Sequence, residues 1–273
     1  MSEYGPGYYE AEETGGEVFG TQSLTRGIRA LLTLSQAPEP LGVAELAVQI
    51  EAPESTMYRI VQALEQNGFV ERSERGRIVP GLRLLDLARA VEKDVEAVIL
   101  HFARPVMRDL AMEVKETVML TAHTGLYSIC LESIESPRAI RLSMERGRVL
   151  PMYSGASGKI LLAHLGSRVV ARAVSAANGV LRTNGEVISA GALEEELGHI
   201  RDLGYCTSEG EIDADVAAAA APVLRGGGRP PLGLTIAGPS QRLPVGELDS
   251  VVATVIKASR EIERRLEAAT IVG

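Results

Sequence analysis

The sequence predicts an α+β chain of two domains: a small helical unit closed by a β-hairpin, then a larger unit in which helices cover an antiparallel sheet. Three observations predict it. A length of 273 residues fits two modest domains more readily than one. Apolar residues recur at helical spacing up to Leu64, and two short β-like segments follow directly. Beyond Val95, alternating β-branched runs are interleaved with further helical stripes. Apolar residues make up 45 % of the chain, so a sizeable core is available; with three Phe and no Trp, that core is aliphatic.

The elements follow in chain order. Residues 1–20 are rich in Gly, Glu and Tyr, carry no apolar stripe, and read as a disordered acidic tail. Gln22–Ser35 is the first helix, with Leu24, Ile28, Leu31 and Leu32 on one face. Arg26 and Arg29 lie away from the centre of that face, within reach of a phosphate. Gln36-Ala37-Pro38-Glu39-Pro40 breaks the chain, and Gly42–Gln49 is a second, short helix. Pro53 opens a third helix, where a proline in the first turn costs little. On it Met57, Ile60, Val61 and Leu64 form the apolar stripe, while Ser55, Thr56, Tyr58, Arg59 and Gln62 lie off it. Asn67-Gly68 ends that helix through a left-handed cap. Phe69-Val70, a turn at Glu74-Arg75-Gly76, and Arg77-Ile78-Val79 then make a hairpin. A helix with a polar outer face, followed by a hairpin bearing Arg72, Arg75 and Arg77, has the shape of a winged helix-turn-helix. The same residues also suit a surface helix and hairpin in any α/β domain.

Leu82–Asp94 is helical, and its apolar surface is wider than one small domain needs, which points to a second subunit or the next domain as its cover. A long stripe from Val95 to Val114 is interrupted at Pro105. Thr117–His123 and Leu126–Ile134 are strands, with Ala139–Ser143 as a candidate third. Gly158–Leu165, Arg168–Ala176 and Leu193–Leu203 are helices; Val216–Leu224 and Leu232–Ala237 are strands; Val245–Ala268 is a long closing helix.

Charge narrows the function classes. The net charge is −8, yet residues 1–20 hold five Glu and no Lys or Arg, while residues 21–90 balance eight Arg against eight acids. Nucleic-acid binding is therefore not excluded, but it must be specific or multivalent, not driven by a strong nonspecific field. Two cysteines, Cys130 and Cys206, form neither a disulfide framework nor a zinc motif. No apolar run approaches the ~20 residues that span a bilayer, and no basic-then-apolar leader opens the chain, so the expected location is the cytoplasm.

Gly155-Ala156-Ser157-Gly158-Lys159 is neither a phosphate loop nor a nucleophile elbow. Tyr153 stands where the first needs Gly, and Gly158 follows Ser157 directly. Small residues ahead of a helix let a polar ligand approach its N–H groups; a tight structural loop is the other reading. His101, His123, His164 and His199 show no metal spacing, and Glu194, Glu195 and Glu196 read as a solvated helix face. Glu209 and Glu211 are either pocket or loop-surface residues. No nucleophile, base and orienter stand at recognisable spacing, so no catalytic residue, metal or cofactor is expected.

Taken as an ordered set, these residues resemble the IclR family of bacterial transcription regulators. The resemblance runs from Gln22 to the C-terminus. It rests on Glu45-Leu46-Ala47, Pro53-Glu54-Ser55-Thr56-Met57-Tyr58-Arg59, Asn67-Gly68-Phe69-Val70 and Gly76-Arg77 in the first domain. In the second it rests on Gly147–Met152, Ser157-Gly158-Lys159, Gly204-Tyr205, Gly210-Glu211, Ala220–Val223 and Gly238-Pro239.

The resemblance implies a winged helix-turn-helix at 21–82, a linker helix at 83–96 and a GAF-like effector-binding domain at 97–273. It implies DNA contacts from Arg26, Ser55, Thr56, Tyr58, Arg59, Gln62, Arg75 and Arg77. It implies an effector pocket at Ala156, Ser157, Ser208, Glu211, Ala218, Thr235 and Ala237. The implied partners are palindromic double-stranded operator DNA, a small-molecule effector, and a second copy of the chain, with dimers pairing into tetramers. Two departures stand out. Ala218 and Ala237 put methyl groups where family pockets often carry polar ones, which favours a neutral or partly apolar effector, aromatic or acyl. Glu54 stands where a basic residue is common. The expected function is a ligand-controlled repressor; the alternative is a sensor or enzyme of the same fold without DNA binding.

Overall fold

The computed structural model describes residues 21–73, 75–243 and 248–272, in two compact units that divide between Asp94 and Val95. The expected acidic tail, Glu74 of the expected wing turn, and the expected start of the closing helix at Val245 lie outside the described residues.

The first unit runs α1 (Gln22–Gln36), α2 (Val43–Gln49), α3 (Glu54–Gln66), β1 (Val70–Arg72), β2 (Ile78–Pro80) and α4 (Arg83–Val95). Its core is aliphatic, built from Leu34, Val43, Leu46, Ile50, Met57, Val61 and Ile78 with their neighbours. Gly68 ends α3 at φ +73°, and the Phe69 N–H reaches back to the Leu64 carbonyl at 2.9 Å. β1 and β2 pair antiparallel, and Ile78 also exchanges backbone bonds with Leu41, so the segment before α2 is tied to the wing.

The large apolar residues of α1 meet the core only in part: Leu31 packs against it, whereas Leu24 is 64 % exposed and Ile28 and Leu32 are exposed too; Gly27, Ala30 and Leu34 are buried. At Gly27 the two helices come close: an added Cβ would lie 3.6 Å from Ile60 Cγ2, an ordinary contact distance. On α4, Leu85, Leu87 and Val91 are likewise exposed.

The second unit opens on a π-helical turn, Glu96–Leu100, followed by α5 (His101–Val114). The expected break at Pro105 does not occur. Pro105 lies inside α5, and the π turn directly upstream takes up the misfit that a missing N–H creates. There follow β3 (Thr117–Thr124), β4 (Tyr127–Ile134), β5 (Val149–Pro151), α6 (Ala156–Ala163), α7 (Ser167–Ala177), α8 (Ala190–Leu203), β6 (Cys206–Glu209), β7 (Val216–Arg225), β8 (Arg229–Pro239) and α9 (Asp249–Val272). The six strands order as β5-β4-β3-β8-β7-β6, with every neighbouring pair antiparallel.

The expected strand at Ala139–Ser143 is absent, and β5 takes that edge instead. Residues 139–143 stay irregular because side chains hold them: Thr117 Oγ1 donates to the Leu142 carbonyl at 2.6 Å and Arg242 to that of Ile140 at 3.1 Å. β6, four residues long, has too short a pattern to be predicted.

Strand alternation sorts the core into two layers. Val118, Leu120, Ala219, Leu234 and Ile236 face α5 and α9. Met119, Ala218, Ala220 and Ala237 face α6, α7 and α8. The second face is lined with small residues, so α6 lies close upon it and is buried along its whole length. Among the described residues, no helix is long and apolar enough to cross a membrane.

Gly158 reports on that closeness: an added Cβ would stand 2.7 Å from the Pro151 carbonyl oxygen and 2.8 Å from Met152 Cα. Gly158→Ala is expected to lose about 1–3 kcal/mol of unfolding free energy in urea titrations, since backbone on both sides must move. Gly191→Ala, in open space on α8, is expected to gain up to about 1 kcal/mol in the same titration.

Candidate functional site

Each unit holds one site. In the first, α3 turns Met57, Ile60 and Val61 inward, which sends Ser55, Tyr58, Arg59 and Gln62 to solvent and leaves Thr56 half-exposed. Among the described residues, none of these five side chains has a partner within the protein, so hydroxyl, phenol, amide and guanidinium are all available to a groove. Arg26 on α1 and Arg75 in the wing likewise have no partner among the described residues.

Arg77 is different. Its Nε donates to the Pro40 carbonyl at 2.7 Å, and Nη2 meets Glu45 Oε2 at 2.8 Å. Glu45 in turn accepts the Gly42 N–H at 2.7 Å, which caps α2. The guanidinium expected on DNA thus fastens the wing to the start of α2. Arg72 is held by Glu65 at 3.1 Å.

In the second unit a small cavity of about 50 Å³, partly open to solvent, lies between the small-residue face of the sheet and the start of α6. All seven residues expected at the pocket reach its wall: Ala156, Ser157, Ser208, Glu211, Ala218, Thr235 and Ala237. Sheet register explains the grouping. Ser208, Ala218 and Ala237 lie opposite one another across β6, β7 and β8, and Thr235 lies opposite Met119 in the adjoining row. Met119, Leu142, Met144, Leu150, Ile212 and Val216 supply apolar surface that spacing alone does not assign to a pocket.

The helix end at the cavity is already capped. The Gly155 N–H donates to Glu211 Oε2 at 2.9 Å, and the Ala156 N–H donates to Ser208 Oγ at 2.9 Å. Two of the N–H groups at this helix start are therefore taken by the protein's own side chains. Gly155 itself is at φ +74°, and a Cβ there would strike Ile212 Cδ1 at 2.5 Å. Thr235 Oγ1 is buried, with no hydrogen-bond partner among the described residues. Asp213 also lines the wall, its carboxylate unpartnered among the described residues and its pKa raised by burial.

Behind the wall lies a buried ion network. Lys159, 1 % exposed, sits 2.5 Å from Glu211 Oε1 and also pairs with Glu196. Arg182 Nη2 meets Glu196 Oε2 at 3.3 Å, and its Nε faces Glu211 Oε2 at 3.4 Å, an ion pair whose angle falls short of a hydrogen bond. Burial opposes the Lys159 ammonium, but Glu211 and Glu196 outweigh it and raise its pKa. The nearby Cys206 thiol, pushed up to about 12 by burial, stays neutral. Thr183 completes the frame, donating its N–H to the Glu211 carbonyl at 3.3 Å and its hydroxyl to that of Ile212 at 2.7 Å.

Glu196 is thus not part of a plain solvated face, unlike the exposed Glu194 and Glu195. One signal pointed to the network: Lys159 stands within a buried apolar helix, where an ammonium needs a partner. For Asp213 no sequence pattern served.

Residues 23–74 match the IclR helix-turn-helix domain, and residues 94–264 match Bacterial transcriptional regulator IclR C-terminal. The chain is 28 % identical over 237 residues to the HTH-type transcriptional regulator KipR of Bacillus subtilis, covering 87 % of this chain and 94 % of that protein. It is 27 % identical to the transcriptional repressor IclR of Escherichia coli, covering 88 % of each. The crystal structure of a candidate IclR transcriptional regulator from Silicibacter superposes with a TM-score of 0.76 at 26 % identity, covering 89 % of this chain and 96 % of that one.

Removing Lys159 leaves Glu211 buried without its cation. Lys159→Met is expected to cost about 3–5 kcal/mol in chemical denaturation, and Lys159→Met with Glu211→Gln to recover part of that loss in a double-mutant cycle.

Proposed function

The chain belongs to the IclR family of bacterial transcriptional regulators, and from that membership we propose that it is a repressor whose hold on DNA is set by a small organic effector. Its first domain is a helix-turn-helix DNA-binding domain and its second an effector-binding domain. The observation that carries the proposal is the outer face of α3, with five polar side chains, beside Arg26 and Arg75, unpartnered among the described residues. These are the DNA-contacting residues, with Arg59 reading a base and Arg26 and Arg75 holding phosphates. Arg77 acts indirectly, by setting the wing. That the Escherichia coli relative is named a repressor supports the sign of regulation.

The effector occupies the cavity of the second unit, against Ser157, Ser208 and Thr235, with Ala218 and Ala237 beneath it. It binds and leaves unchanged, as in a regulator; both oxygens of Glu211 are engaged by Lys159, Arg182 and Gly155. To alter DNA binding, the ligand must have different affinities for the DNA-bound and free arrangements of the protein. The exposed Leu24, Ile28 and Leu32 of α1 and Leu85 and Val91 of α4 support a homodimer, since apolar surface of this extent marks an interface. A two-fold dimer then calls for a palindromic operator.

Fluorescence anisotropy on the DNA upstream of the protein's own gene, over several salt concentrations, tests the first claim. Arg59→Ala is expected to lose about 1–3 kcal/mol of binding to the selected site, with little change on random DNA. Equal losses on both would make Arg59 a phosphate contact. Sedimentation velocity tests the second claim: Leu85→Glu is expected to shift the dimer toward monomer, and an unchanged sedimentation coefficient rules out that face.

A further inference from the structure

We propose that the cavity selects a compact, largely apolar molecule carrying a hydrogen-bond-donating head, best an ammonium, and discriminates against simple carboxylates. The proposal rests on the reading of this cavity as the effector site and adds the chemical class of its ligand.

Three features of the wall carry it. First, among the described residues no Lys, Arg or His lines the cavity, so an anionic ligand meets no cation there. The nearest cations, Lys159 and Arg182, are committed to Glu196 and Glu211 behind the wall. Second, the helix N-terminus that would ordinarily draw a carboxylate has its Gly155 and Ala156 N–H groups occupied by Glu211 and Ser208. Third, two polar groups in the wall have no partner among the described residues. Asp213 is a half-buried carboxylate, which only accepts, and Thr235 Oγ1 is a fully buried hydroxyl, which can accept from a donating head or donate to an accepting one. The buried hydroxyl is costly until a ligand satisfies it, and the half-buried carboxylate is open to a partner from the cavity. A carboxylate would add a second negative charge beside Asp213, whereas an ammonium pairs with it. The rest of the wall, from Met119, Leu142, Met144 and Ile212, accommodates an aliphatic or aromatic body.

Isothermal titration of the full-length protein with three molecules sharing one ring, benzylamine, benzyl alcohol and benzoate, tests this. Benzylamine is expected to bind at least about tenfold more tightly than benzoate. Asp213→Asn is expected to remove about tenfold from benzylamine and little from benzyl alcohol, and Thr235→Val to weaken both donors several-fold. Ala218→Phe, which fills the cavity, is expected to abolish all binding; Val216→Phe at the half-exposed rim replaces it if that variant does not fold. Benzoate binding as tightly as benzylamine, or Asp213→Asn without effect, overturns the donor proposal; if the filled variant still loses that binding, the effector-site reading stands. Binding that survives a filled cavity, or no binding by any of the three, overturns both.

Discussion

The second domain depends on where the Glu211 carboxylate is held. It lies in a loop between two strands, yet its oxygens face a helix start, a buried lysine and an arginine from a distant turn. Through Lys159 and Arg182 it is joined to Glu196 on α8, and through Thr183 its own backbone is fixed. Such a network adds little net stability over an apolar equivalent, because desolvating four charges offsets their attraction. Its consequence is positional. A single carboxylate orients α6, α8, the Arg182–Glu186 turn and the loop carrying Ile212 and Asp213, and the cavity wall is made of what they leave between them.

The sheet supplies the other wall by subtraction. Along β7, Val216–Arg225, alanines alternate between two cores, and on the cavity side Ala218 meets Ala237 and Ser208 across the register. Small side chains there do two things at once. They let α6 approach the sheet, with Gly158 and Gly233 too crowded for a Cβ. They also leave unfilled space just beyond the helix start. The volume of the pocket and the close packing of α6 therefore have one origin, and enlarging an alanine to fill the pocket also presses on the helix.

Much of this was legible in the chain. Helical spacing located α3 and its polar face, Asn67-Gly68 marked its end, and the seven expected pocket residues share one cavity. What failed did so for physical reasons. On α1 the stripe of large apolar residues is only partly covered, and the buried positions include the small residues Gly27 and Ala30, which periodicity weighs lightly. Ala139–Ser143 has the composition of a strand, yet its carbonyls are claimed by Thr117 and Arg242, residues remote in sequence. The ionic partners of Lys159 lie 37 and 52 residues away, a pairing that no local window contains.

The charge of the first domain gains meaning from its internal pairs. Arg72, Arg77 and Arg83 are matched to Glu65, Glu45 and Asp86, so a formally neutral domain has part of its positive charge cancelled in place. The other cations of the first unit, Arg26, Arg29, Arg59, Arg75, Arg89 and Lys93, are few. A single copy would then gain little from counterion release and would depend on the base edges that α3 can reach. In the proposed homodimer the second domain would bind at the high effective concentration set by the first. Affinity that depends on two domains engaging together is also the kind a ligand can switch, because altering their pairing removes it without altering any residue that touches DNA.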